Sequence, residues 1–374
     1  MSFPCTLLSL VLLSFLLLSG CQTRKTNDLS LTKVSFETIP GYQNDQIVDA
    51  VPALKRSCAV MLKQPSKTYS VPETANLSGT YKDWTPFCTA VMHEQSSSTA
   101  RWKSILQTHL TPYRLSLDGR QEGQFTGYYE PLLHGSKRKH GRYQFPLYRY
   151  PSAQEAKRIN VKIPRSDIVR GALTGRGLEL LWVDSPVDAF FVQIQGSGRV
   201  KLDTGKMINI GYAGQNGHPY HPIGKTLVQN GELTLKNATM QSIRHWIKTH
   251  PKRAEEIMST NHSYVFFRII DGTDGPIGSQ GVPLTAKRSI AVDPAYIGLG
   301  SPIWVDIEHP DINHPSKHHH KKTHLQHLAI AQDTGGAIKG GLRADYFWGF
   351  GAEATDLSGR MNSKGKLYLL LPKN

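Results

Sequence analysis

A chain of 374 residues with 39% hydrophobic content has enough apolar material for a real core, in one large or two ordinary domains. Its formal net charge is +15, from 44 Lys and Arg against 29 Asp and Glu, and a surface this basic suits a polyanion. No zinc-finger or aromatic RNP signature accompanies the charge, which argues against nucleic acid as the partner.

Residues 1–21 read MSFPCTLLSLVLLSFLLLSGC. The apolar run 7–18 is too short to span a bilayer and fits the core of an export signal. Its end, Leu18-Ser19-Gly20-Cys21, resembles a bacterial lipoprotein processing site, in which Cys21 carries the lipid and becomes the mature N-terminus. Gln22 follows the cysteine where an Asp would suggest the inner membrane. The expectation is a lipid anchor on the periplasmic face of the outer membrane, with the rest of the chain soluble. Residues 1–21 contain no charged side chain, so the whole basic excess lies beyond them. Behind an export signal the fitting polyanion is peptidoglycan, whose peptide carboxylates and lactyl groups make it acidic.

Residues 22–45 are polar and aperiodic and read as a linker. Across 46–120 the pattern is helical: Val48, Val51, Leu54 and residues 60–62 recur at near-helical spacing, as do Trp102, Ile105, Leu106 and Leu110. With Cys5 and Cys21 assigned to the leader, Cys58 and Cys88 remain. In an oxidising compartment they form a disulfide, or else stay as two buried thiols.

From Gly127 onward, short β-rich runs stand between Gly, Pro and Asn turns: FTGYYEP, YQFPLYRY, LELLWV, AFFVQIQGSGRV, SYVFFRII, SIAV, PIWVDI, LAIAQD and LYLLL. One helical stretch, 240–250, interrupts them and stops at Pro251. Asp203-Thr204-Gly205 sits in a polar context and reads as a hairpin turn, not as half of an aspartic-protease pair. Residues 309–322 (HPDINHPSKHHHKK) read as an exposed inserted loop. His318, His319 and His320 are consecutive and cannot converge on one ion from a strand, so no metal centre is expected.

The stretch AIAQDTGGAIKGGLRADYFWGFGAEA, residues 329–354, carries the chemistry. Apolar residues lead into Asp333 as at the end of a buried strand. Glycines at 335, 336, 340 and 341 then let the backbone turn and approach a ligand. Asp345 arrives beside Tyr346, Phe347 and Trp348. Carboxylates among aromatics suit carbohydrate cleavage, with rings on the sugar's C–H surface and a carboxyl moving protons. The bland alternative has Asp333 capping a turn and Asp345 in a salt bridge with Arg343.

Six segments occur in one order: FTGYYEP (125–131), FFVQIQGSGR (190–199), IGYAGQNGHPY (210–220), SYVFFR (263–268), VPLTAKRSIAVDPAYIGLGSPIWV (282–305) and AQDTGGAIKG with RADYFWGFG (331–351). Together they resemble the membrane-bound lytic murein transglycosylase A family, from about residue 120 to the C-terminus. The last segments resemble the domain named for three aspartates, matched by Asp293, Asp333 and Asp345. The resemblance implies a mainly β fold with a helical N-terminal region: a double-psi β-barrel domain plus an inserted second β-domain, with the substrate groove between them. On this chain it implies a leader over 1–21, a linker over 22–45, barrel parts at 46–130 and 276–374, and an insert at 131–275.

The implied reaction cleaves the β-1,4 bond between N-acetylmuramic acid and N-acetylglucosamine, closing a 1,6-anhydro ring. The sugar's own C6 hydroxyl is the nucleophile, so one carboxyl can act first as acid and then as base. That role falls to Asp345, and Asp333 orients the site or stabilises developing positive charge. Tyr128, Tyr129 and Glu130 are expected to line the groove. Gln193, Gln195, Ser197, Arg199, Asn216, His218 and Asp293 are candidate sugar or peptide contacts. No cofactor and no metal are implied. Partners are peptidoglycan glycan strands and the membrane through the lipid, with cell-wall synthesis or division proteins left open. Two other classes stay open as well: a β-glycan hydrolase using Asp345 and Asp333 as a pair, and a non-catalytic murein-binding lipoprotein.

Overall fold

The computed structural model describes residues 29–69, 79–271, 275–310 and 324–373. The leader with Cys21, and His318, His319 and His320, lie outside the described residues.

The chain enters on β1 (Leu29–Lys33), then α1 (Val51–Lys63), β2 (Thr68–Tyr69), β3 (Gly79–Thr80), α2 (Thr85–His93) and α3 (Thr99–His109). Two long strands follow, β4 (Leu110–Leu117) and β5 (Gly123–Glu130). Next come β6 (Leu132–Ser136), β7 (Phe145–Tyr148), α4 (Arg165–Val169), β8 (Glu179–Val183), α5 (Pro186–Gln195), β9 (Ser197–Leu202) and β10 (Met207–Gln215). Helices α6 (Ile223–Gln229), α7 (Met240–Thr249) and α8 (Pro251–Ser259) precede β11 (Val265–Ile270). The chain closes with β12 (Ser289–Val292), β13 (Pro302–Glu308), β14 (His324–Asp333), β15 (Arg343–Phe350), α9 (Ala352–Arg360) and β16 (Asn362–Pro372).

Among the described residues, eight strands form one sheet in the order β1-β4-β16-β13-β14-β12-β15-β5. β5 also pairs with β16, so the run from β16 to β5 closes on itself as a six-stranded ring. The long β16 makes this possible. Its first half pairs with β5, its second half with β4, and its other edge with β13. Its burial changes along its length: Asn362 and Lys364 are exposed while Ser363 and Gly365 are buried, whereas Leu367 to Leu371 are buried on both faces.

The second sheet, β11-β10-β9-β6-β8-β7, is built entirely from residues between β5 and β12. The long excursion out of the first sheet therefore folds around its own apolar cluster, including Leu147, Leu181, Val200 and Phe267. Helices α5, α6, α7 and α8 share a further cluster around Phe190, Leu227, Trp246 and Ile257.

Helix α1 buries Ala53, Leu54, Ser57, Cys58 and Met61, a stripe at helical spacing. It packs under the first sheet, and Cys58 is bonded to Cys88 of α2 with their Cα atoms 4.9 Å apart. Of the two states open for these cysteines, the structure holds the disulfide. Each fully buried Leu or Phe in this layer contributes about 1.5–3 kcal/mol.

Three expectations change. The polar run read as a linker is built into the fold from Leu29 onward: β1 pairs with β4, and Phe36, Ile39 and Tyr42 are buried. Its apolar residues sit too irregularly to show a period, yet each fills the sheet's flank. The run AFFVQIQ is not a strand but helix α5, and only the part from Ser197 is extended. The Ser185 side chain accepts from the Asp188 backbone N–H and Pro186 opens the first turn, which outweighs the β preference of Phe, Val and Ile. Gly196, at φ 77°, ends α5 in the left-handed conformation and turns the chain into β9. Finally, the helical stretch 240–250 has companions, because Pro251 ends α7 and serves as the first residue of α8.

Candidate active site

Strand β15 lies parallel to β5, with Arg343 opposite Gln124, Asp345 opposite Thr126 and Phe347 opposite Tyr128. Side chains alternate across a strand, so these six share one face. This pairing joins residues 219 positions apart. Gly127, on the opposite face, allows it: a Cβ there would stand 2.6 Å from the Trp348 indole nitrogen.

Thr126 is the link between the charges. Its hydroxyl accepts from Arg343 Nη2 at 2.9 Å and donates to Asp345 Oδ1 at 2.9 Å. Arg343 spends Nη1 on the carbonyls of Ala344 (2.8 Å) and Gln124 (3.2 Å). The salt bridge set as the bland alternative for Asp345 is thus replaced by a relay through a hydroxyl.

Burial is the main cause that pushes the Asp345 carboxyl from its ordinary value up to about 6. The Arg343 charge and the Thr126 hydroxyl pull it down, and neighbouring Asp333 pushes it up. Burial also lowers the Arg343 pKa, against the pull of Asp345.

Asp333 ends β14 with both oxygens occupied. Oδ1 accepts from the backbone N–H and hydroxyl of Ser279 and from the Thr334 N–H, all at 2.9 Å. Oδ2 accepts from the Tyr128 hydroxyl at 3.0 Å. Burial raises its pKa while these donors lower it. Tyr128, packed 5.1 Å from the Phe347 ring, is held well above the usual phenol range by burial and by the two carboxylates. Asp345, Thr126, Tyr128 and Asp333 are therefore one connected cluster.

The other residues singled out in the sequence fall into two groups. Glu130 is 2% exposed and pairs with Arg199 Nε at 2.8 Å; burial raises its pKa and Arg199 opposes the rise. The Arg199 guanidinium lies 4.5 Å from the centre of the Phe350 ring. Gln195 Oε1 accepts from the Tyr129 N–H at 3.0 Å. These contacts bind the second sheet to the end of β5. Ser197 is buried at the start of β9, Gln193 is buried beside Tyr264, and His218 is half-buried with its ring 6.2 Å from that of His262.

The remaining three have structural work. Tyr129 points opposite to Tyr128, so its ring joins the core instead of the groove face. Asn216 is 1% exposed; its Nδ2 donates to the carbonyls of Ile163 and His262 and its Oδ1 accepts from the Tyr264 N–H, each at 2.8 Å. Asp293 accepts from the backbone N–H groups of Ala295 (3.1 Å) and Gly340 (2.8 Å) and holds the glycine turn before β15.

Four neighbours were missed: Thr126, Arg343 as its partner, Ser279 and Tyr220. Tyr220 has burial as the main cause of its raised pKa, with the Asp345 charge adding to it, which puts the segment after β10 near the carboxyl. The spacing of Arg343 and Asp345, two apart on a strand, was the available signal.

A buried carboxyl with a raised pKa on an aromatic-flanked sheet face marks this face as the candidate site for a polar ligand. Residues 124–268 match the MltA specific insert domain, and residues 288–371 match the 3D domain. The chain is 34% identical over 251 residues to the membrane-bound lytic murein transglycosylase A of Escherichia coli K12, covering 66% of this chain and 65% of that protein. The match thus spans just under two thirds of that relative's length. The membrane-bound lytic murein transglycosylase of Agrobacterium tumefaciens superposes with a TM-score of 0.79 at 31% identity, over 92% of this chain and 98% of that one. Escherichia coli MltA with bound chitohexaose superposes with a TM-score of 0.70 at 25% identity, over 94% and 97% of the chains. The chain belongs to the membrane-bound lytic murein transglycosylase A family.

Proposed function

We propose that this protein is a peptidoglycan lytic transglycosylase, an exotransglycosylase where it acts from chain ends. It cleaves the β-1,4 bond between N-acetylmuramic acid and N-acetylglucosamine and leaves a 1,6-anhydromuramic acid end. The observation that carries this reading is Asp345, a half-buried carboxyl pushed up to about 6 on the same face as Tyr128 and Phe347.

Asp345 in its neutral form protonates the departing glycosidic oxygen. As a carboxylate it then accepts the C6 hydroxyl proton while that oxygen attacks C1. A pKa near the working pH serves both steps, and a nucleophile carried by the substrate gains from proximity. Asp333 positions Tyr128. With four donors on its two oxygens, it is poorly placed to activate a water, which favours a single-carboxylate mechanism over hydrolysis by an acid and base pair.

In this reading the closed six-stranded ring is a double-psi barrel, in a domain made from 29–130 and 276–374. Residues 131–275 are an insert facing it across the glycan groove. The lipid on Cys21 holds the enzyme to the outer membrane. No helix among the described residues is long and apolar enough to cross a membrane.

The test is to digest purified sacculi with the chain from residue 22 and weigh the products. Muropeptides lighter by one water, without a reducible end, are expected. Ordinary reducing ends would mean hydrolysis, and bound sacculi without products would mean a binding protein.

Thr126→Val probes the relay. Losing the hydroxyl removes a bond that holds the Asp345 pKa down, so the acid form persists to higher pH. The alkaline limb of kcat/KM is expected to move upward, with turnover about five- to tenfold lower. An unmoved limb in the pH profile would rule the relay out.

A further inference from the structure

A cavity of about 960 Å³ lies at the end of the site face away from the second sheet. It is framed by the β4–β5 hairpin, the turn before β15 and the start of β16. Arg120, Lys339, Arg343, Lys364 and Lys366 line it against the single carboxylate of Glu122. Arg120 leans toward Asp118 at 3.7 Å, and Arg343 belongs to the relay above. Lys339, Lys364 and Lys366 have no ion-pair partner among the described residues.

Strand register connects this cleft to Asp345. Asn362 lies opposite Thr126 and Lys364 opposite Gln124, across β5 from β15. The three strands therefore present Asp345, Thr126, Gln124, Asn362 and Lys364 on one continuous face. With strands about 4.8 Å apart and residues about 3.3 Å along them, Lys364 and Lys366 start about 12 and 16 Å from Asp345. An extended peptide advances about 3.5 Å per residue, so about three to five residues bridge that span. Along the way Gln124 Nε2 donates to Asn362 Oδ1 at 2.6 Å, an amide pair at the edge of the cleft suited to a peptide backbone.

We infer that this cleft binds the carboxylates of the stem peptide borne by the muramic acid at the cleavage site. The inference rests on the lytic transglycosylase reading for the sugar's position. It adds that the enzyme recognises the peptide substituent as well as the glycan, through Lys364 and Lys366 with support from Lys339 and Arg120.

The test measures binding without turnover, so it stands apart from the product assay. Calorimetry compares N-acetylmuramyl tripeptide having free carboxylates with the same compound amidated, on the wild type and on Lys364→Gln/Lys366→Gln. Lys364 is exposed and Lys366 half-buried, and glutamine keeps a polar side chain of similar reach at both, so the variant should fold. The wild type is expected to bind the free acid about five- to tenfold tighter, and the double variant to lose that preference. Lys364→Arg/Lys366→Arg should retain it. Equal affinity for both compounds, or an unchanged preference in the glutamine variant, overturns the inference. So does saturable binding of short polyphosphate at these lysines with none of the acidic muramyl peptide. If sacculi yield no anhydro products yet the preference holds, the cleft stands as a peptide site and only the reaction assigned to Asp345 falls.

Discussion

Asp345→Asn is expected to lower the release of anhydromuropeptides by about a thousandfold while leaving sacculus binding intact. General acid–base groups typically contribute about 10²–10⁴-fold, and in the proposed mechanism one carboxyl serves both proton transfers. The same substitution should change stability with a defined sign. Folding raises this carboxyl from its ordinary 3.8 to about 6, so the folded state favours the neutral form. Its contribution to stability is complete below the unfolded pKa and is lost as pH rises through about 6. Asparagine is neutral throughout. The variant should therefore nearly match the wild type near pH 4 and exceed it by up to about 3 kcal/mol at pH 7.5. Denaturation at the two pH values, beside a sacculus digest, checks both halves. Near-normal turnover in the asparagine variant would sink the single-carboxylate mechanism.

Arg288→Ala should cost about 3–5 kcal/mol, the range for stripping one partner from a buried ion pair. Arg288 grips Asp45 with two bonds, Nη1 to Oδ2 at 3.0 Å and Nη2 to Oδ1 at 2.9 Å. It also donates to the carbonyls of Leu328 and Gln46 and to Asp49. The Asp45 side chain is 3% exposed and accepts the Leu328 N–H at 3.0 Å as well. Alanine at 288 would leave that carboxylate buried without its counter-charge, at the seam where the N-terminal segment meets β14. Asp45→Asn/Arg288→Met should recover most of the loss, because an uncharged pair has no buried charge to strand. Urea denaturation of the three proteins decides it, and a loss under about 1 kcal/mol for the alanine variant would refute the argument.

Helical spacing in 51–63 and 99–109 was visible because Leu54, Met61, Trp102, Ile105 and Leu106 each repeat on one face. The β-rich run LYLLL likewise falls within β16. Helix α5 was misread because Phe, Phe, Val and Ile in succession suit a strand, whereas a Ser-Pro start governs the local backbone. Residues 34–45 showed no period, since they carry the 3₁₀ turns Phe36–Thr38 and Tyr42–Asn44, whose buried side chains answer to the sheet beneath. The same limit separated Tyr128 from Tyr129: side by side in the motif, they stand on opposite faces of β5.

Local order along the chain was enough to expose the aspartates, the glycine turn between them and the family pattern, because those depend on residue type at short range. The relay from Arg343 through Thr126 to Asp345, the closure of β16 on β5 and the cationic cleft beside them depend on register between strands far apart in the chain. Register is chosen by burying one face of every strand at once. A carboxyl's pKa follows from that burial, so the raised value of Asp345 arises only when the sheet is assembled.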